Sequence, residues 1–175
     1  MRPGRRVVLT GFMGAGKTTV GRALARLLGV PFLDLDDAVA EAEGRGPREL
    51  IDAEGEDYFR AAETRALRRE LEGGAARVIA TGGGAWTLER NRALVARHGC
   101  LAVWLDAPYE LCRRRIEAGG GGSVRPFARD PARARRLYEE RLAAYRLANL
   151  RVEVADGRGA DELAAEVVAA LGADA

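Results

Sequence analysis

Gly11-Phe12-Met13-Gly14-Ala15-Gly16-Lys17-Thr18 is the stretch on which the fold of this chain turns. It fits G-x-x-x-x-G-K-[ST], a loop in which glycines let the main chain wrap phosphate oxygens, a lysine reaches the β- and γ-phosphates and a threonine hydroxyl holds Mg²⁺. Among the 28 lysines and arginines of the sequence, Lys17 is the one lysine. A composition that filled every other basic position with arginine spared this one. The physical reason is that arginine's rigid planar fork cannot enter a loop that accepts a compact, rotatable ammonium.

The flanks agree with the motif. Arg5-Arg6-Val7-Val8-Leu9-Thr10 supplies a short apolar run before the loop. Residues 18–28 follow with helical spacing and stop at Gly29, with Pro31 just beyond. Strand, loop and helix in this order are what a phosphate loop needs. A dinucleotide-binding fingerprint does not fit, because after Gly14 and Gly16 its third glycine falls on Thr19. The expected nucleotide contacts are Gly14, Ala15, Gly16, Lys17, Thr18 and Thr19.

Length and composition bound the remainder. The 175 residues suit a single domain over 1–175 that can bury a real core, and 47% hydrophobic with 31% charged residues is the balance of a globular enzyme. A formal charge of +2, with bases spread among acids, demands no nucleic acid or other polyanion. No apolar stretch is long enough for a membrane span, and Met1-Arg2-Pro3-Gly4 leads directly into the first strand, so a cytoplasmic monomer is expected. Scarcity excludes other chemistries. Ser123 and His98 are the only serine and the only histidine, which argues against a Ser-His-Asp hydrolase and a His-rich zinc site. Cys100 and Cys112 lack C-x-x-C spacing and read as small buried hydrophobes.

Apolar runs alternate with helical patterns along the whole chain. Strands are expected at 5–10, 32–36, 77–81, 101–105 and 151–155, and the intervening helices include one capped by Thr87 and one opened by Asp130-Pro131. The fold class is therefore α/β: three layers, a five-stranded parallel sheet with helices on both faces. Ligands lie beyond the carboxyl ends of such strands. Asp34 and Asp36, in D-L-D, end the second strand, where a spacing of two puts both on the same side. Arg60 and Glu63, in F-R-x-x-E, stand one helical turn apart, the pattern of an ordinary exposed ion pair. Gly82-Gly83-Gly84 follows the third strand, and three consecutive glycines suggest a ligand pressed close to the main chain.

Taken in order, GFMGAGKT, DLD, FRxxE, GGG, Val124-Arg125-Pro126 and Arg141…Tyr145-Arg146 resemble the shikimate kinases over almost the whole chain. The resemblance implies a P-loop kinase fold with a mobile lid at about 118–130, and transfer of the ATP γ-phosphoryl group to the 3-hydroxyl of shikimate. It also implies Mg²⁺ held at Thr18 and Asp34, with Asp36 on the acceptor hydroxyl. Arg60 and Arg146 are implied on the substrate carboxylate, and Gly82, Gly83 and Gly84 along its ring. Arg125 is implied in the lid over the phosphates, making Lys17, Asp36 and Arg125 the catalytic set. An adenine-stacking arginine is expected just before the lid, where Arg113, Arg114 and Arg115 all qualify.

This sequence departs from the family pattern at Phe127 and Ala128 in the lid, at Ala143 where a proline is usual, and at Ile51 where an aromatic residue is common. The charge constellation is untouched by these changes. Asp106, which ends a Walker-B-like strand, is read as a turn residue before Pro108. Two other classes share the phosphate loop: a different small-molecule P-loop kinase, and an ATP-binding regulator or Arg-rich RNA module without turnover.

Overall fold

The computed structural model describes residues 5–119 and 130–173. Its elements run β1 (Val7–Thr10), α1 (Lys17–Leu28), β2 (Phe32–Asp34), α2 (Leu35–Glu43), α3 (Pro47–Glu54), α4 (Glu56–Gly73), β3 (Val78–Ala80), α5 (Glu89–Arg97), β4 (Leu101–Asp106), α6 (Tyr109–Ala118), α7 (Pro131–Tyr145), β5 (Leu150–Glu153) and α8 (Ala160–Ala173). A 3-10 turn at Ala85–Thr87 precedes α5.

The sheet is parallel throughout, in the order β2-β3-β1-β4-β5. β1 lies at its centre with β3 on one side and β4 on the other, so the chain changes direction across the sheet at the carboxyl end of β1. That crevice is where an open α/β sheet binds its ligand, and residues 11–16 fill it. Every residue of β1 and β3 is buried, which is why both read as unbroken apolar runs without alternation. Leu9, Leu24, Ile79 and Leu105 are fully buried in the shared core. Each such leucine or isoleucine side chain withdraws enough apolar surface to contribute about 1.5–3 kcal/mol.

Helix ends follow the local chemistry. Gly29 closes α1 in the left-handed region, its N–H reaching Ala25 O and Arg26 O. Pro47 opens α3, and Asp130 caps α7 by accepting from Arg133 N, with Pro131 in the first helical position. Thr87 departs from expectation. It caps no helix; its hydroxyl donates to Gly84 O at 2.7 Å and closes the 3-10 turn, and α5 begins after Leu88 instead. No helix among the described residues is long and apolar enough to cross a membrane.

Candidate active site

The loop between β1 and α1 is shaped by its glycines. Gly14 has φ 79°, and a Cβ there would sit 2.7 Å from the carbonyl oxygen of Cys112, so both torsion and space exclude a side chain. Gly16, at φ 100°, stands at the N-cap of α1 without a side-chain cap, and no acidic residue occupies the first turn. The helix N-terminus thus presents open N–H groups and the positive end of its dipole to an anion. Ala15 is fully buried beneath the loop. Lys17 Nζ donates to the carbonyls of Gly11 (2.9 Å) and Phe12 (3.0 Å), which curl the side chain back over the loop it serves. Thr19 is exposed on the first turn of α1.

Thr18 and Asp34 meet across the sheet edge: the threonine hydroxyl donates to Asp34 Oδ2 at 2.6 Å. Asp36 is not on the strand. β2 ends at Asp34, whose other oxygen, Oδ1, accepts from Asp36 N at 3.0 Å and caps α2. The expectation of two carboxylates side by side on a strand is therefore corrected. Asp34 prefers to satisfy an orphan helix N–H, so the strand stops there, and the two acids diverge. Asp34 turns to the phosphate loop, whereas Asp36 Oδ1 is buried and approaches Gly82.

Gly82, Gly83 and Gly84 form the turn on which the other groups converge. A Cβ on Gly82 would lie 2.5 Å from Glu63 Oε1 and 3.0 Å from Asp36 Oδ1; one on Gly84 would lie 2.5 Å from Arg60 Cζ. On Gly83 it would lie 3.3 Å from Arg141 Nη1, 3.4 Å from Met13 N and 3.6 Å from Gly11 O. The turn thus touches two carboxylates, two guanidinium groups and the phosphate loop. Its position is set from behind by Asn91, which is buried on α5: Asn91 Nδ2 donates to Ala85 O at 2.8 Å and Asn91 Oδ1 accepts from Thr64 Oγ1 at 2.8 Å.

Arg60 and Glu63 are not an ordinary surface pair. Glu63 is fully buried and holds Arg60 Nη1 at 2.5 Å, while Glu56 takes Nη2 at 3.0 Å from the exposed side. Burial pushes the Glu63 carboxyl above its usual range, Arg60 opposing the shift and Asp36 adding to it. Its second oxygen, Oε1, has no hydrogen-bond partner. A buried acceptor left open is costly unless something with a hydroxyl group completes it.

Arg146 does not belong to this group. It is the exposed C-cap of α7 and lines a separate hollow with Trp104, Asp106, Tyr138 and Leu142. The arginine that α7 delivers to the glycine turn is Arg141, only 9% exposed, with its guanidinium over the Phe12 ring. Arg141 and Glu63 are the two site residues that sequence reasoning did not assign. The three arginines of α6 also separate. Arg113 pairs with Glu110 and Glu117, and Arg114 pairs with Asp156, whereas Arg115 Nη1 reaches Ala15 O at 3.2 Å and so lies against the phosphate loop. Asp106 accepts Arg151 Nε at 2.7 Å, in keeping with a strand-end structural role. Arg125 and most of the expected lid lie outside the described residues.

A phosphate loop whose neighbour is a glycine turn ringed by paired acids and arginines is built for a small anionic polyol beside a nucleotide. Residues 13–172 match the family model for shikimate kinase. The chain belongs to the shikimate kinase family. It is 43% identical over 169 residues to a shikimate kinase of Ruegeria pomeroyi, with 94% of this chain and 84% of that one covered. Identity to a shikimate kinase of Geobacter sulfurreducens is 42% over 167 residues, covering 94% and 89%. Among solved structures, shikimate kinase from Acinetobacter baumannii in complex with shikimate matches with a TM-score of 0.89 at 34% identity, covering 98% of this chain and 95% of that one. Shikimate kinase from Aquifex aeolicus matches at 0.82 and 31%, covering 97% of each. The chain is thus an ATP-dependent small-molecule kinase, and membership of the shikimate kinase family favours that reaction over a different small-molecule kinase or a regulator.

Proposed function

We propose that the space between the phosphate loop and the glycine turn holds shikimate against the γ-phosphate of ATP, with Asp36 orienting the 3-hydroxyl and accepting its proton. The observation that carries this is the shared neighbourhood of Gly83: a Cβ on it would lie 3.3 Å from Arg141 Nη1, 3.4 Å from Met13 N and 3.6 Å from Gly11 O, the last two in the phosphate loop. An acceptor seated there has its carboxylate and the donor phosphate within one small pocket. Arg60 and Arg141 supply planar, multiply donating cations that match a carboxylate. The buried Asp36 Oδ1 and the open Glu63 Oε1 are acceptors suited to ring hydroxyls.

In the transfer, the acceptor oxygen forms a bond to the γ-phosphorus as the bond from that phosphorus to the β–γ bridging oxygen breaks. The electron pair leaves with ADP, and the hydroxyl proton passes to Asp36. Lys17 and the N–H groups at the start of α1 hold the phosphates in line and offset the charge spread over the equatorial oxygens. From the sequence, Arg125 is assigned to the same charge.

Thr18 and Asp34 fit a Mg²⁺ site. Their oxygens already touch at 2.6 Å, and among the described residues no cluster of three or more metal-ligating side chains exists. One hydroxyl and one carboxylate, with phosphate and water completing the shell, is how Mg²⁺ is usually held. A Mg²⁺ held by Thr18 and Asp34 would supply positive charge to offset that of the phosphates. We further assign Arg115, the one arginine of its trio to rest on the phosphate loop, to the nucleotide side of the pocket.

The test is Asp36→Asn. Turnover is expected to fall by about 10²–10⁴, the range of general acid–base contributions, with ATP affinity unchanged. Near-normal turnover would remove Asp36 from its role.

A further inference from the structure

Tyr145 is fully buried on the last turn of α7, its ring stacked on Trp104 at 6.1 Å between centroids and 27° between planes. Its hydroxyl donates to Gly83 O at 2.6 Å, and Arg141, one helical turn earlier on the same helix, brings its guanidinium to the same glycine: a Cβ on Gly83 would lie 3.3 Å from Arg141 Nη1. That oxygen therefore ties the glycine turn to the helix that carries Arg141, one of the two arginines assigned to the acceptor carboxylate.

The consequence follows from peptide geometry. In the unit joining Gly83 to Gly84, the C=O and N–H point in opposite directions within one plane. With a glycine on each side no Cβ favours one orientation of that plane over its reverse. Fixing the Gly83 carbonyl onto Tyr145 fixes the Gly84 N–H on the other side, away from the tyrosine. Among the described residues, the N–H groups of Gly82, Gly83 and Gly84 find no backbone acceptor. Burial pushes the Tyr145 phenol up to about 12, so it remains a donor throughout the range in which enzymes work.

We propose that Tyr145 is a positioning residue for the acceptor carboxylate: its hydroxyl sets the orientation of the Gly83–Gly84 peptide beside the Arg141 fork, and thereby acceptor affinity. This rests on the assignment of the pocket to a carboxylated acceptor. The group touches neither the reacting oxygen nor the phosphates, so its loss acts on acceptor binding and spares the chemical step.

The experiment is steady-state kinetics of Tyr145→Phe, which keeps the stacked ring and removes only the hydroxyl. The acceptor KM for shikimate is expected to rise about tenfold, the size of one lost buried hydrogen bond, with kcat and the KM for ATP within about twofold of wild type. Trp86→Phe is the control. It removes the 3.0 Å bond from Trp86 Nε1 to Ala144 O, which ties the same turn to the same helix without touching Gly83. A comparable loss of thermal stability with unchanged acceptor KM is expected there. A third arm uses a shikimate analogue in which a hydroxymethyl group replaces the carboxylate, and Tyr145→Phe is expected to handle it as wild type does. An unchanged KM for shikimate in Tyr145→Phe, a joint rise in both substrates' KM, or an equal loss with the hydroxymethyl analogue would each overturn the proposal. If instead the wild-type enzyme shows no preference for the carboxylated acceptor, the underlying pocket assignment fails.

Discussion

Glu63 holds Arg60 from a position with no solvent exposure, carboxylate to guanidinium at 2.5 Å. Exposed pairs one helical turn apart are worth a few tenths of a kcal/mol; this one is instead buried against the glycine turn. It fixes the plane of Arg60 and leaves Oε1 open toward Gly82. Replacing Glu63 by Gln keeps the shape and discards the charge. The acceptor KM is expected to rise at least about tenfold, in line with the loss of one charge-assisted hydrogen bond, while the KM for ATP stays constant. Initial rates at varied shikimate and fixed saturating ATP measure this, and an unchanged acceptor KM would separate Glu63 from the pocket.

Arg141 and Arg146 are on one helix, yet only the first faces the glycine turn. Arg141→Lys retains the charge but loses the planar fork, and the acceptor KM is expected to rise roughly 10–100-fold, since Arg and Lys are not equivalent at a bidentate site. Arg146→Ala is expected to leave both KM values within about twofold. Titration of shikimate into each variant gives the same comparison at equilibrium. The reverse result would restore Arg146 to the carboxylate.

Why these assignments escaped sequence reasoning is physical. The phosphate loop was legible because its requirements are local: a lysine among arginines, glycines at fixed spacing, a strand before and a helix after. The sheet was legible for the same reason, since β1 and β3 read as continuous apolar runs. Helical phase in α7 was not, because Arg133, Arg135, Arg136, Arg141 and Arg146 are distributed around a helix with little apolar contrast. The usable signal was Tyr145: a residue four positions before a buried aromatic shares its face, which selects Arg141. Glu63 had a similar mark, four residues after the buried Phe59. The D-L-D segment misled because its β character ends at Asp34, where a side-chain cap on the next helix outcompetes one more residue of strand.

Gly84 offers a steric test. Its φ is −98°, a conformation that alanine accepts, so the backbone does not forbid the change. A Cβ there would nevertheless intrude on the Arg60 guanidinium. Gly84→Ala is expected to raise the acceptor KM by about tenfold or more through displacement of Arg60, with ATP affinity preserved and the melting temperature little altered. Loss of ATP binding in this variant would mean that the turn serves the nucleotide instead.

The two cysteines give a pH prediction. Burial raises the Cys112 thiol from 9.0 to about 11 and moves Cys100 in the same direction. The folded state therefore holds these protons more tightly than the unfolded chain. Stability from the Cys112 thiol is fully present below pH 9 and is lost as pH rises through about 11. Denaturant unfolding at pH 8 and pH 10.5 is expected to show a lower midpoint at the higher pH, and Cys112→Ala is expected to reduce that difference. Native thiols at pH 8 should react slowly with a disulfide reagent, and quickly once the protein is unfolded.

The central claim is that the pocket beside the phosphate loop selects a carboxylated polyol as phosphoryl acceptor. Its most direct test is ADP release measured with ATP and Mg²⁺ against a panel of shikimate, other small hydroxy acids and nucleoside monophosphates. The expected result is release that depends on shikimate, saturates with it, yields one shikimate 3-phosphate per ADP and is weak or absent with the other acceptors. Release at the same rate without shikimate, or a preference for a nucleoside monophosphate, would contradict the account.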